Sequence, residues 1–173
     1  MSCLRTSSVI LVFPVIWVAF GAGSALAESM DCSGSKVSKE RSSYEVIRPG
    51  DRPDLELRQY IRVDVISSNN PEFVGTETTV YQHEDLNRSP TGGSSRHIGY
   101  GNFALKNGEK LWFKFEGVAY WTSTGGTWEA HYQGIAHFIG GTGKYKAVRG
   151  GYHYQGTATP AGLKEDFVCS ATY

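Results

Sequence analysis

The run Gly140-Gly-Thr-Gly-Lys-Tyr-Lys-Ala-Val-Arg-Gly-Gly151 constrains this chain most: it is a glycine-dense turn between two strand-like segments, residues 131–139 and 152–159. Glycines this close together let the backbone take positive φ and approach a neighbouring strand tightly, as the corner of a closed or strongly coiled sheet requires. Within the run, Gly140-Gly-Thr-Gly-Lys144 superficially suggests a phosphate cradle. That chemistry needs Ser or Thr after the lysine and a helix beyond it, whereas Tyr145 follows here and the next segment is strand. The run therefore reads as a structural corner.

Strand patterns punctuated by turns continue on both sides, and almost nothing after residue 28 reads as helix. Residues 55–66 alternate, with Leu55, Leu57, Ile61, Val63 and Val65 on one face and Glu56, Arg58, Tyr60, Arg62 and Asp64 on the other. Residues 75–82, 96–105, 110–121, 128–139, 151–159 and 164–171 follow, with Asn107-Gly108 as a hairpin turn. Some eight strands at near-regular spacing favour an antiparallel barrel or sandwich. Three segments have a face mixing large aromatic with small residues: Leu111, Phe113, Phe115, Gly117 and Ala119; Trp128, Ala130, Tyr132, Gly134, Ala136 and Phe138; Tyr152, Tyr154, Gly156 and Ala158. That mixture suits the taper of a small barrel, so the expected fold is an all-β, antiparallel, eight-stranded up-and-down β-barrel with an aromatic interior.

The domain boundaries expected are a signal peptide at 1–27, an N-terminal arm and loop at 28–54, and the barrel at 55–173. Arg5 supplies the positive end of the leader, residues 9–20 its apolar stretch, and Ala25-Leu-Ala27 a small-x-small cleavage site. The stretch is too short for a span of about 20 residues, so secretion or a periplasmic location is expected, with no membrane attachment after cleavage. Residues 33–43 are polar and rich in Ser and Lys, and read as an ordered arm or short coil; residues 49–54 read as a turn-rich loop. Downstream of Ala27, 16 basic residues face 17 acidic ones, which leaves no electrostatic footprint for nucleic acid.

Two of the three cysteines, Cys32 and Cys169, lie beyond the leader. In an oxidising compartment they read as one disulfide tying together the two ends of the domain, which suits a closed barrel. The chain-entropy model gives roughly 4–5 kcal/mol for so long a loop.

At Gly140-Gly-Thr-Gly-Lys-Tyr…Ala147-Val-Arg-Gly150 the chain resembles the allene oxide cyclase/dirigent barrel superfamily, and also small exported bacterial proteins that carry the same turn. The resemblance is specific over residues 128–159 and topological over 55–127. It implies a calycin-like up-and-down barrel with an apolar lumen, often trimeric, whose members cyclise a fatty-acid epoxide, steer phenoxy-radical coupling or close rings pericyclically. The matched positions are turn and scaffold residues, so the resemblance carries fold and no catalytic residue.

Candidate chemistry is sparse. His97 shares its face with Gly99, Gly101 and Phe103, the expected interior, and is a candidate acid/base or rim histidine. His83, His131, His137 and His153 read as exposed or interface residues, and no metal site is expected. Tyr132, Tyr152 and Tyr154 put hydroxyls among apolar neighbours, where each either fixes the polar end of a ligand or reaches the rim. Tyr132 is the second weak catalytic candidate. Phe113, Phe115, Tyr132, Phe138, Tyr152 and Tyr154 form the expected ligand-binding set, and no cofactor is expected. Asn87-Arg-Ser89 fits a glycosylation sequon.

Three functions stay open. One is an exported barrel that binds a hydrophobic or aromatic small molecule in its lumen. Another is a cofactor-free cyclase, isomerase or dirigent-like enzyme. The last is a filled, structural barrel whose outer face, with Trp112, Tyr120 and Tyr60, packs against identical subunits as a dimer or trimer.

Overall fold

The structure is a computed structural model that describes residues 27–48 and 55–173. The expected leader, apart from Ala27, and the loop at 49–54 lie outside the described residues. Eight strands run antiparallel in chain order: β1 (Ser29–Ile47), β2 (Glu56–Ser68), β3 (Gly75–Asp85), β4 (Gly92–Leu105), β5 (Lys110–Thr124), β6 (Thr127–Gly141), β7 (Arg149–Thr159) and β8 (Gly162–Thr172). Each pairs with the next, and β8 pairs back onto β1 to close the barrel. The chain is thus all-β, an eight-stranded antiparallel up-and-down barrel.

The arm expected at 28–54 is, over Ser29–Ile47, the first barrel strand. Its pairing with β2 and β8 is a property of the backbone, and after Met30 its next inward positions are Cys32, Gly34 and Lys36 rather than large apolar residues. Period-2 hydrophobicity, the signal used for the other strands, is therefore missing. Cys32 and Cys169 are register partners across the β1–β8 seam, with Cα atoms 5.0 Å apart, and form the expected disulfide.

The glycine run is a corner. β6 ends at Gly141, a short 3-10 helix spans Gly143–Ala147, and β7 starts at Arg149. Gly143 takes φ +53° and Gly150 φ +113°, values that favour glycine. Tyr145 and Val148 are fully buried beneath the turn. The Lys144 amide donates to Glu109 Oε1 at 3.2 Å, so a carboxylate from the neighbouring β4–β5 turn occupies the place that a phosphate would take.

The lumen has two dissimilar halves. At the end with both termini, Phe73 from the β2–β3 connection closes the barrel, its ring 4.7 Å from Phe103 and 5.6 Å from Phe167. Phe113 and Phe138 pack into the same plug. Each such ring contributes about 1.5–3 kcal/mol by leaving water. Next to this plug the interior turns charged, which overturns the expectation of an apolar lumen. On β2 the charged face points inward: Glu56, Tyr60, Arg62 and Asp64 are buried, while Leu57, Ile61, Val63 and Val65 are half-buried on the outside. The physical reason is reciprocal neutralisation by Lys36 on β1, Glu77 on β3 and Glu165 on β8. The same reversal puts Tyr60 inside, stacked on Tyr81 at 5.2 Å, rather than on the outer face with Trp112 and Tyr120.

Candidate functional site

A layer of charge forms the floor of the site. Lys36, fully buried, places Nζ 2.6 Å from Glu77 and 2.7 Å from Glu165, and 4.2 Å from the centre of the Tyr152 ring. Arg62 reaches Glu165 at 3.0 Å and Asp64 at 2.7 Å. Three carboxylates thus face two cations. Burial disfavours ionisation of Glu165, but Lys36 and Arg62 outweigh it and hold the group below the usual carboxylate range. Burial pushes Glu77, which shares only Lys36, up to about 7. The surplus charge of the layer is therefore relieved by a proton on Glu77 near neutrality.

Above this floor, toward the end opposite the phenylalanine plug, lies a cavity of about 80 Å³. Phe115, Ala119, Ala130, Ala158 and Leu163, from β5 to β8, make one wall; Arg41, Tyr81, His83 and His97, from β1, β3 and β4, make the other. Tyr132 and Tyr154 stand between them, and Glu77, Tyr152, Glu165 and Arg62 close the bottom. A dry cavity of roughly 150 Å³ takes a benzene. A guest here is therefore small or enters by one end.

Glycines on the inward face fix the two tyrosines. A Cβ on Gly134 would lie 2.2 Å from the Tyr154 hydroxyl, and one on Gly156 2.3 Å from the Tyr132 hydroxyl, so only glycine leaves room for each phenol to cross to the neighbouring strand. Tyr154 donates to the Glu116 carbonyl at 3.0 Å, and Tyr132 to the Lys164 carbonyl at 3.2 Å. His97 Nε2 lies 2.7 Å from the Tyr154 hydroxyl. With that phenol's one proton directed at Glu116, the imidazole donates from Nε2 and is the neutral tautomer. Burial drives its pKa down to about 4, helped by His83 and Arg62, and burial raises both phenols above their ordinary value.

These values decide between two chemical readings. Acid/base catalysis is most effective when the pKa lies near the working pH. A histidine titrating near 4 is a weak base at neutrality, and phenols raised by burial are poor acids. His97 and Tyr154 are thus better suited to present a fixed, neutral polar surface than to shuttle protons.

The rim is rich in arginine. Buried Glu56 accepts Arg48 at 2.7 Å, Arg88 at 2.6 Å and also Arg58. Burial opposes its ionisation, but Arg88 and Arg58 hold its pKa below the usual range. His83 meets Asp85 at 3.1 Å. Arg41 lies with its guanidinium 4.2 Å from the centre of the Tyr60 ring. Among the described residues, no cluster of three His, Cys, Asp or Glu side chains is placed to hold a metal ion.

Of the residues singled out from sequence, His97, Phe115, Tyr132, Tyr152 and Tyr154 line the cavity together. Phe113 and Phe138 do not; they belong to the plug. Sequence reasoning missed Arg41, Arg62, Glu77 and Glu165. The available signal was the recurrence of charged residues at period 2 on several strands, as in Arg62 and Asp64, which a barrel can turn inward once opposite charges meet. No protein-family model and no curated protein matches this sequence.

Proposed function

We propose that this protein is an exported binding barrel that takes a small hydrophobic or aromatic molecule, or one end of it, into its lumen. The observation that carries the reading is the 80 Å³ cavity, walled on one side by Phe115, three alanines and Leu163, with Tyr132 and Tyr154 beside it whose hydroxyls are already satisfied. An apolar wall facing fixed polar groups is what such sites use to hold and orient a small molecule. The Cys32–Cys169 disulfide supports an oxidising compartment, and the leader at 1–27 supports export. Exposed Ile98, Tyr100, Tyr120 and Val168 on the outer wall support self-association as a dimer or trimer.

Native mass spectrometry of protein purified from its own host tests this. A small-molecule adduct is expected on the wild type and is expected to vanish in Ala119→Leu, which fills the cavity. Wild-type protein that carries no adduct and gives no lumen shifts with small apolar probes would refute it. The same spectrum reads the number of subunits.

The resemblance at residues 140–150 supports the superfamily's cyclase or dirigent-like chemistry as a second reading. The His97–Tyr154 pair beside the cavity is the one observation in its favour. Turnover abolished in His97→Gln but retained in Ala119→Ser would select it.

A further inference from the structure

We propose that the guest is a small monocarboxylic acid, its apolar body against the wall from Phe115 to Leu163 and its carboxylate on Arg41. The inference rests on the lumen-binding reading and names the class of molecule that the same cavity selects.

The polar groups around the cavity are almost all engaged within the protein. Tyr132 and Tyr154 donate to main-chain carbonyls, His97 is bonded to Tyr154, and His83 to Asp85. Glu77, Glu165 and Arg62 are paired within the floor. Of the two arginines lining the cavity, Arg62 therefore has its carboxylates. Arg41 has no ion pair among the described residues; its guanidinium lies over the Tyr60 ring and hydrogen-bonds the Tyr81 hydroxyl, which leaves most of its five N–H donors for a ligand.

Arg41 is also opposite Arg62 in the β1–β2 register, an arrangement of like charges that is unfavourable in itself. A bound anion relieves it. Stacking on Tyr60, which is in turn stacked on Tyr81, holds the guanidinium plane before any ligand arrives, so the fork can offer two parallel N–H groups to one carboxylate. The floor sets the upper limit of charge. Glu77 and Glu165 at the bottom of the same cavity would repel a phosphate or sulfate dianion far more than a singly charged group. The apolar wall lies across the cavity from Arg41, which requires a molecule with an acid at one end and hydrocarbon at the other.

The probes are benzoate and isovalerate, with benzamide and isovaleramide as their neutral counterparts, titrated at pH 7 against wild type, Arg41→Gln and Arg41→Lys. Binding is followed through the methyl signals of Ala119, Ala130 and Ala158. In the wild type each acid is expected to bind about tenfold or more tightly than its amide, the range for a charge-assisted hydrogen bond. Arg41→Gln levels the two, and Arg41→Lys, which keeps the charge but not the fork, restores part of the difference. Arg41 is exposed, so the variants fold, which unchanged melting temperatures verify. Equal affinity for acid and amide in the wild type overturns the proposal and leaves lumen binding standing. A preference for acids that survives Arg41→Gln overturns the assignment to Arg41. No lumen shift with any of the four probes removes the lumen-binding reading along with it.

Discussion

Lys36→Met provides the sharpest test of the buried charge layer. Methionine keeps the side chain out to the ε position and removes the ammonium between Glu77 and Glu165, together with its cation–π contact to the Tyr152 ring. Lys36 Nζ is 2.6 and 2.7 Å from these two carboxylates and no part of the residue reaches solvent. Glu77 can respond by taking up a full proton, since burial already holds it near 7. Glu165 has Arg62 as a second partner at 3.0 Å. Even so, removing one partner of a buried pair costs about 3–5 kcal/mol. For a domain of this size that is a fall in melting temperature of roughly 6–20 °C. Urea unfolding at pH 7 should show the loss as a lower midpoint with an unchanged slope. The double variant Lys36→Met/Glu77→Leu should recover much of it, because the carboxylate left behind is the chief source of the penalty. A loss below about 1 kcal/mol for Lys36→Met, or a double variant no better than the single one, would refute the pairing described here.

The other predictions address different parts of the barrel. His97 has a folded pKa near 4 against an ordinary 6.5, so the stability it contributes is present above 6.5 and is lost as pH falls through 4. His97→Gln should flatten the stability profile in that window, as read by urea midpoints across pH. Glu77 has the opposite sign: its folded value is raised, so its contribution is full below about 4.5 and is lost as pH rises through 7, and Glu77→Gln should abolish that slope. Gly134→Ala would set a Cβ 2.2 Å from the Tyr154 hydroxyl and 2.3 Å from the Glu116 carbonyl, and should cost about 1–3 kcal/mol by overpacking, with Tyr154→Phe failing to rescue it because the ring carbon Cζ is also within 2.4 Å. Reducing the Cys32–Cys169 disulfide should cost up to roughly 4–5 kcal/mol, measured as a shift in urea midpoint with and without reductant.

What the sequence revealed depended on whether a strand buries hydrocarbon. On β5, β6 and β7 the inward set is Leu111 to Ala119, Trp128 to Phe138 and Tyr152 to Ala158, and simple alternation identifies it. On β2 alternation identifies the two faces equally well, but nothing local says that Arg62 and Asp64 turn inward. Their direction depends on Glu165, 103 positions later in the chain. β1 was illegible for the same reason: Lys36 is a core residue only because Glu165 is 129 positions away and directly beside it. His97 was found because its neighbours Gly99, Gly101 and Phe103 mark the interior. Arg41 could not be, since it follows an irregularity in register between Ser38 and Glu40 that shifts which side chains face in.

The seam between β1 and β8 has a consequence for how the chain reaches this structure. Seven of the eight strand pairings join neighbours in sequence, so each can zip locally, whereas the eighth joins residues such as Cys32 and Cys169, 137 positions apart. Long-range pairing is kinetically the slowest kind, so closure should come last, after an open, curled sheet has formed. Until then Ser29–Ile47 and Gly162–Thr172 are unpaired edges able to recruit another copy of the chain. Placed on that seam, the disulfide locks the slow step, and it converts a transient risk of aggregation into a single irreversible act of closure for as long as the surroundings stay oxidising.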